Sequence, residues 1–155
     1  MVDKSGDKMR RIITRLIIIG IFAGIGWVGY QLADFTTCEG PRAEAWLDAS
    51  MDRFEDSEID YYSWNDYTTL NQFSLLAEHA RERYHAQLNQ ETIACLEDLN
   101  DHNADFYWYE WKMYEAASKD DFLLAAQYDD DRFQSLEAMM RELDRMAAKY
   151  NWDLD

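Results

Sequence analysis

The sequence predicts an all-α chain, with one N-terminal transmembrane helix followed by an antiparallel bundle of about four helices outside the membrane. Three observations carry that expectation. Residues 16–33 read LIIIGIFAGIGWVGYQLA, an 18-residue run without Asp, Glu, Lys, Arg or His. Beyond it, apolar residues recur every three or four positions through several long stretches, the period of a helix with one buried face. The whole chain contains a single proline, Pro41, so little interrupts helix formation.

The domain plan follows: a basic cytoplasmic tail at 1–15, the membrane helix at 16–33, a tether at 34–40 and an acidic helical domain at 41–155. About 20 apolar residues cross a bilayer core of ~30 Å. Ile12 and Ile13 extend the run backward, with Arg15 snorkelling to the interface. Lys4, Lys8, Arg10, Arg11 and Arg15 precede the span, whereas Asp34 and Glu39 follow it. The positive-inside rule then places the N-terminus in the cytoplasm and the C-terminal domain in the periplasm or outside the cell. A cleaved signal peptide has the same order of features, but the run is long for one, and Gln31-Leu32-Ala33 lacks the small residue cleavage wants at minus three. Phe35-Thr36-Thr37-Cys38 departs from the pattern of a lipid-attachment site. Gly20 with Gly24 and Gly29 with Ala33 are small-xxx-small pairs, which let another transmembrane helix approach closely in a homo- or hetero-oligomer. The span offers no side chain for a proton relay or for cofactor ligation, and no cofactor is expected.

Residues 34–155 hold 29 Asp and Glu against 10 Lys and Arg, a net charge of −19, while residues 1–33 carry +3. Such a field rejects nucleic acid and anionic head groups, and it attracts cationic proteins at long range. It also suits simple solubility or salty surroundings. Abundant, periodic aromatics and aliphatics argue against disorder, and the outer region is the size of one domain.

Within that domain the elements are justified in order. The tether spans at most ~23 Å at ~3.3 Å per residue, so the domain stands near the membrane. Gly40-Pro41 opens the first helix. Its inward stripe is Trp46, Leu47, Ser50 and Phe54, and it is expected to fray between Ser57 and Asp60. Residues 61–66, YYSWND, read as a loop. A second helix should run from about Tyr67 to Leu88, with Leu70, Phe73, Leu76, Ala77, Ala80, Tyr84 and Leu88 on its apolar face. Asn89-Gln90 breaks it. The third begins near Glu91, meets a polar interruption at 100–103 and resumes through Trp111 and Tyr114 to Ala117. Asp120 reads as the N-cap of the last helix. That helix is expected to bury Phe122, Leu123, Ala126, Phe133, Leu136, Met140, Leu143, Ala147 and Tyr150, and to kink at Asp129-Asp130-Asp131. Short turns favour an up-down bundle. A 34-residue shift pairs Ala80 with Tyr114 and reveals no repeat.

Cys38 and Cys95 are the only cysteines. Outside the membrane a disulfide is their default, tying the tether to the third helix. Glu82-Arg83-Tyr84-His85 matches the E-x-x-H pattern that sets two metal ligands on one helix face, but a di-iron bundle needs a second copy. His102 and His79 are instead preceded at three residues by Leu99 and Leu76. Glu82 and His85 are therefore weak metal candidates, and Arg81 and Arg83 beside Glu82 read as a solvated face. No catalytic motif is complete, and no catalytic residue is named. Tyr107, Trp108, Tyr109 and Trp111 surround a helix, since consecutive positions lie about 100° apart, and some must meet another surface. They are the expected interaction surface.

The functional expectation is a non-catalytic accessory or scaffold subunit of a larger membrane assembly, single-pass in the plasma membrane. It would associate through other transmembrane helices and dock proteins outside, among them a cationic soluble partner. The alternative is an extracytoplasmic ligand- or metal-binding module, with an enzyme third.

Overall fold

The computed structural model describes residues 38, 40–64, 68–150 and 152. They form four helices: α1 (Pro41–Ser63), α2 (Leu70–Asn89), α3 (Glu97–Ala117) and α4 (Phe122–Tyr150), with a 3-10 turn at Ala94–Leu96 before α3. Among the described residues there is no strand, and no helix is long and apolar enough to cross a membrane. The predicted membrane span, with Gly20, Gly24, Gly29 and Ala33, lies outside the described residues.

Side-chain pairings give the topology. Arg53 meets Gln87, and Asp60 meets Arg83, so α1 and α2 run antiparallel. Gln87 meets Asn100 while Arg83 meets Glu110, which sets α3 antiparallel to α2. Tyr61 reaches Asp129, and Trp46 clusters with Met146, so α4 runs against α1. The result is an up-down-up-down bundle. α3 packs closely along α2 and α4, whereas α1 stands further off and reaches its neighbours through long side chains.

Pro41 occupies the first turn of α1, where its missing N–H costs nothing. The helix continues past Ser57 and Asp60 to Ser63, because both polar side chains find partners inside the bundle. Tyr61 and Tyr62 are therefore helical, which corrects the expected loop. The Thr69 hydroxyl caps α2 by accepting from the Gln72 backbone N–H at 3.3 Å, while the Gln72 side-chain Oε1 accepts from the Thr69 backbone N–H at 2.8 Å. That reciprocal pair starts α2 at Leu70 instead of Tyr67.

α3 begins at Glu97, later than expected, and is unbroken across 100–103. Asn100 is held there by hydrogen bonds from Gln87 at 2.8 Å and Thr92 at 3.1 Å, and Asn103 is buried. The α3–α4 turn also departs from expectation. Asp120 is not the N-cap but the left-handed residue, with φ 64°. The Asp120 N–H donates to the Ala117 carbonyl and the Asp121 N–H to the Ala116 carbonyl, both at 3.1 Å. This is the Schellman ending of α3. Asp121 then caps α4, its Oδ1 accepting from the Leu124 N–H at 3.1 Å.

α4 runs through Asp129–Asp131 without interruption. Its buried residues are Ala125, Arg132 and Met146, with Met139 packed alongside. Those positions repeat every seven residues, the period of bundle packing. Small Ala125 admits Ala116 and Ala117 of α3. The inward face is thus rotated in part from the expected one: Leu143 and Tyr150 pack against the core, whereas Phe122, Leu123, Ala126, Phe133 and Met140 are exposed.

Two apolar clusters fill the bundle. One, at the end bearing the disulfide, gathers Ala43, Trp46, Ile93, Leu96, Leu99 and Met146. Cys38 and Cys95 are bridged there, with Cα atoms 6.1 Å apart and a sequence separation of 57. Trp152 donates its indole N–H to the Cys38 carbonyl at 3.1 Å. The other cluster, at the opposite end, is built on Phe73, Leu76, Ala80, Met113, Tyr114 and Ala125. Between them lies a layer of buried polar groups.

Candidate functional site

The middle layer is ionic. Glu110 on α3 has no exposed surface. Its Oε1 accepts from the Ser57 hydroxyl at 2.7 Å, and its Oε2 accepts from Arg83 Nη2 at 3.1 Å and Nε at 3.3 Å. Arg83 turns its remaining nitrogen to Asp60 at 2.7 Å, and His79 Nδ1 lies 3.3 Å from the same carboxylate oxygen. Three helices are joined through one guanidinium. Burial pushes the Glu110 carboxyl above its ordinary value, against the opposing pull of Arg83 and Ser57. Burial also works against charge on Arg83, but Glu110 and Asp60 outweigh it and hold its pKa above the ordinary value.

Two further guanidiniums extend the layer. Arg53 donates to Gln87 Oε1 from Nε at 3.1 Å and Nη2 at 2.9 Å, and to the Gln90 side chain. On the other side Arg132 donates to Asp129 at 3.0 Å and lies 4.0 Å over the Tyr61 ring. The Tyr61 hydroxyl donates to the second Asp129 oxygen at 3.2 Å, and burial raises the Tyr61 pKa, with Asp129 adding to the effect.

Adjoining this layer, at the end away from the disulfide, is a partly open cavity of about 260 Å³. Trp64, Phe73, Met113, Phe122 and Tyr114 line it, with Asp129 as its one charged wall. Tyr114 is fully buried, and its hydroxyl has no hydrogen-bond partner.

The sequence-predicted residues fall in different places. Cys38 and Cys95 are brought together. Tyr107 is buried in the bundle at 1% exposure, so it drops out of the expected interaction surface. Trp108, Tyr109 and Trp111 are half-buried. Trp108 packs edge-on to Tyr109 and Tyr128, and Lys112 Nζ covers Trp111 at 4.1 Å. Glu82 and His85 are both exposed on α2, and among the described residues no group of three His, Cys, Asp or Glu is placed to hold a metal. Arg83 is the clearest correction: it is buried at 8% exposure, while Arg81 and Glu82 just before it are exposed.

Sequence reading missed Ser57, Asp60, Arg83, Glu110 and Arg132. A signal existed in α1, where Ser50, Arg53, Ser57 and Asp60 recur at three-to-four spacing beside the apolar stripe. No matching signal marks Glu110, one acid among 31. No protein-family model, curated protein or solved structure matches the chain.

Proposed function

We propose that the chain is a single-pass, membrane-anchored accessory or scaffold subunit of a larger membrane assembly, non-catalytic, whose acidic bundle docks proteins outside the membrane. The observation that carries this reading is the asymmetry between the two ends of the bundle. The disulfide holds residue 38, at the foot of the tether, against the end where α1 begins. At the other end the surface is unusually apolar. Of the 12 exposed large hydrophobics among the described residues, eight cluster there: Ile59, Tyr62, Trp64, Leu70, Leu75, Phe122, Leu123 and Leu124. Exposed apolar groups concentrated in one place mark contact surfaces.

The 23 residues of α1 span ~34 Å at ~1.5 Å per residue, so this tip would stand well clear of the bilayer. The surrounding charge of −19 on residues 34–155 would steer a cationic partner toward it. The small-residue pairs of the span, Gly20 with Gly24 and Gly29 with Ala33, would add a second contact within the membrane. The expected aromatic surface is reduced to Trp108, Tyr109 and Trp111 on the flank.

The test is an N-terminally tagged full-length chain, followed through carbonate extraction and gentle solubilisation. The anchored-subunit reading expects the tag to stay with the membrane fraction and the chain to migrate in a complex larger than itself. Loss of the tag from the mature chain, or migration as a lone monomer, contradicts it. A salt titration separates steered recruitment, which weakens as ionic strength rises.

A further inference from the structure

We infer that the flank on which α4 faces α1 is a docking groove for a cationic amphipathic helix of another protein. The inference goes beyond docking at the tip and does not depend on it. α4 has two seams. The inner one, Ala125, Arg132, Met139 and Met146, packs into the bundle. The second runs through Ala126, Phe133, Leu136, Met140, Leu143 and Ala147, in alternating steps of three and four once Asp129 is counted as its single polar member. That is the heptad period of a helix that receives another helix, and it lasts ~32 Å at ~1.5 Å per residue. Leu136, Leu143 and Ala147 are half-buried and form its base, whereas Ala126, Phe133 and Met140 are exposed, Phe133 at 56%.

Contacts fix the side of α4 on which this seam lies. Tyr128 meets Trp108 of α3, while Asp129 accepts from Tyr61 of α1. Ala126 and Phe133 lie three and four residues from Asp129, so they share its α1-facing side. On α1, Leu47 joins the same apolar cluster as Leu143, and Met51, four residues on, is 51% exposed.

Charge selects the occupant. Asp130, Glu137 and Asp144 follow Ala126, Phe133 and Met140 at four residues, so an acid row borders the seam along its length. Glu55 and Glu58, four and seven residues after Met51, border the groove on α1. All five are exposed; Glu137 pairs with Arg141 at 3.4 Å, and the other four meet no cation among the described residues. A helix with an apolar stripe between rows of Lys and Arg answers both the seam and its borders. A second copy is disfavoured, because residues 34–155 of each carry −19 and acid would meet acid. An anionic bilayer meets the same repulsion.

The experiment titrates the full-length chain, in phosphatidylcholine nanodiscs, with a fluorescent helical peptide of about three heptads carrying Leu at a and d and Lys at e and g. Empty nanodiscs set the background, and the comparisons are a scrambled peptide of the same composition and a twin with Gln for Lys. The expected result is saturable binding of the periodic basic peptide, on the order of tenfold tighter than either comparison and weakening as salt rises. Phe133→Gln/Met140→Gln, at two exposed positions, should cost on the order of tenfold, whereas Leu123→Gln at the tip should leave binding unchanged. No saturable binding above background, or equal affinity for the scrambled or the uncharged peptide, overturns the assignment without recourse to any variant. So does loss of binding with Leu123→Gln but not with the seam variant, or a wild-type dimer that the seam variant converts to monomer.

Discussion

Replacing Arg83 with methionine is the sharpest perturbation of the bundle interior. Methionine keeps much of the length and apolar stem of arginine but removes the charge. Glu110, with no exposed surface, then keeps only the Ser57 hydroxyl, and Asp60 loses its 2.7 Å partner. Breaking a buried pair by removing one member costs about 3–5 kcal/mol, because the other charge stays in low dielectric. Against a typical total stability of about 5–15 kcal/mol, that is a large share. For a domain near this size, each kcal/mol moves the midpoint by about 4 °C, so Tm should fall by roughly 12–20 °C. Circular dichroism melts of the full-length chain read this directly. The double variant Arg83→Met/Glu110→Leu removes both charges and should recover most of the loss. A single-variant cost under about 1 kcal/mol, the range of a surface pair, would refute the buried-pair reasoning. So would a double variant no better than the single.

Three other outcomes follow from the same geometry. Cys95→Ser opens a loop of 57 residues and should cost about 4 kcal/mol on chain-entropy grounds, and thiol labelling of the unreduced, denatured wild-type chain should find no free cysteine. Asp121→Ala removes the α4 cap and should cost about 1 kcal/mol in urea unfolding, whereas Asp120→Gly, at φ 64°, should be neutral or slightly stabilising. The folded pKa of Glu110 is raised by burial, so its favourable contribution is complete below the unfolded carboxyl value and is lost as pH rises through the folded one. Wild-type stability measured against Glu110→Gln should therefore decline as pH climbs from about 4.5. A difference that grows with pH reverses the sign and contradicts the burial argument.

Helical class, helix number, up-down order and the cysteine pair were all legible from period, punctuation and the presence of just two cysteines. Most of the apolar face of α2 was legible too, because Phe73, Leu76, Ala77 and Ala80 lie on a single stripe that is buried. What escaped was set by neighbours in space. Arg83 and Glu110 look like any surface charges until α1 and α3 bring Asp60, Ser57 and each other within reach. The face of α4 was misread in part, at Phe122, Leu123, Phe133 and Met140, because large side chains attract attention, while Leu143 and Tyr150 do pack against the core. Its seam is instead defined by small Ala125 and by Arg132, whose guanidinium stacks on Tyr61 and pairs with Asp129. Asp120 and Asp121 both suit a cap by residue type, and only backbone hydrogen bonding assigns one to the left-handed ending of α3 and the other to the start of α4. Tyr107 likewise belongs to an aromatic run whose members differ in fate by their angle around α3.

The central claim is that the apolar tip opposite the disulfide end is where partners dock. Site-specific photo-crosslinking in living cells tests it most directly, with the reactive side chain placed at Leu123 on the tip and, in a separate strain, at Leu88 near the disulfide end. The account predicts a discrete protein adduct from Leu123 that survives high-stringency purification, and little or none from Leu88. Adducts of equal strength from both positions, or from Leu88 alone, would contradict it.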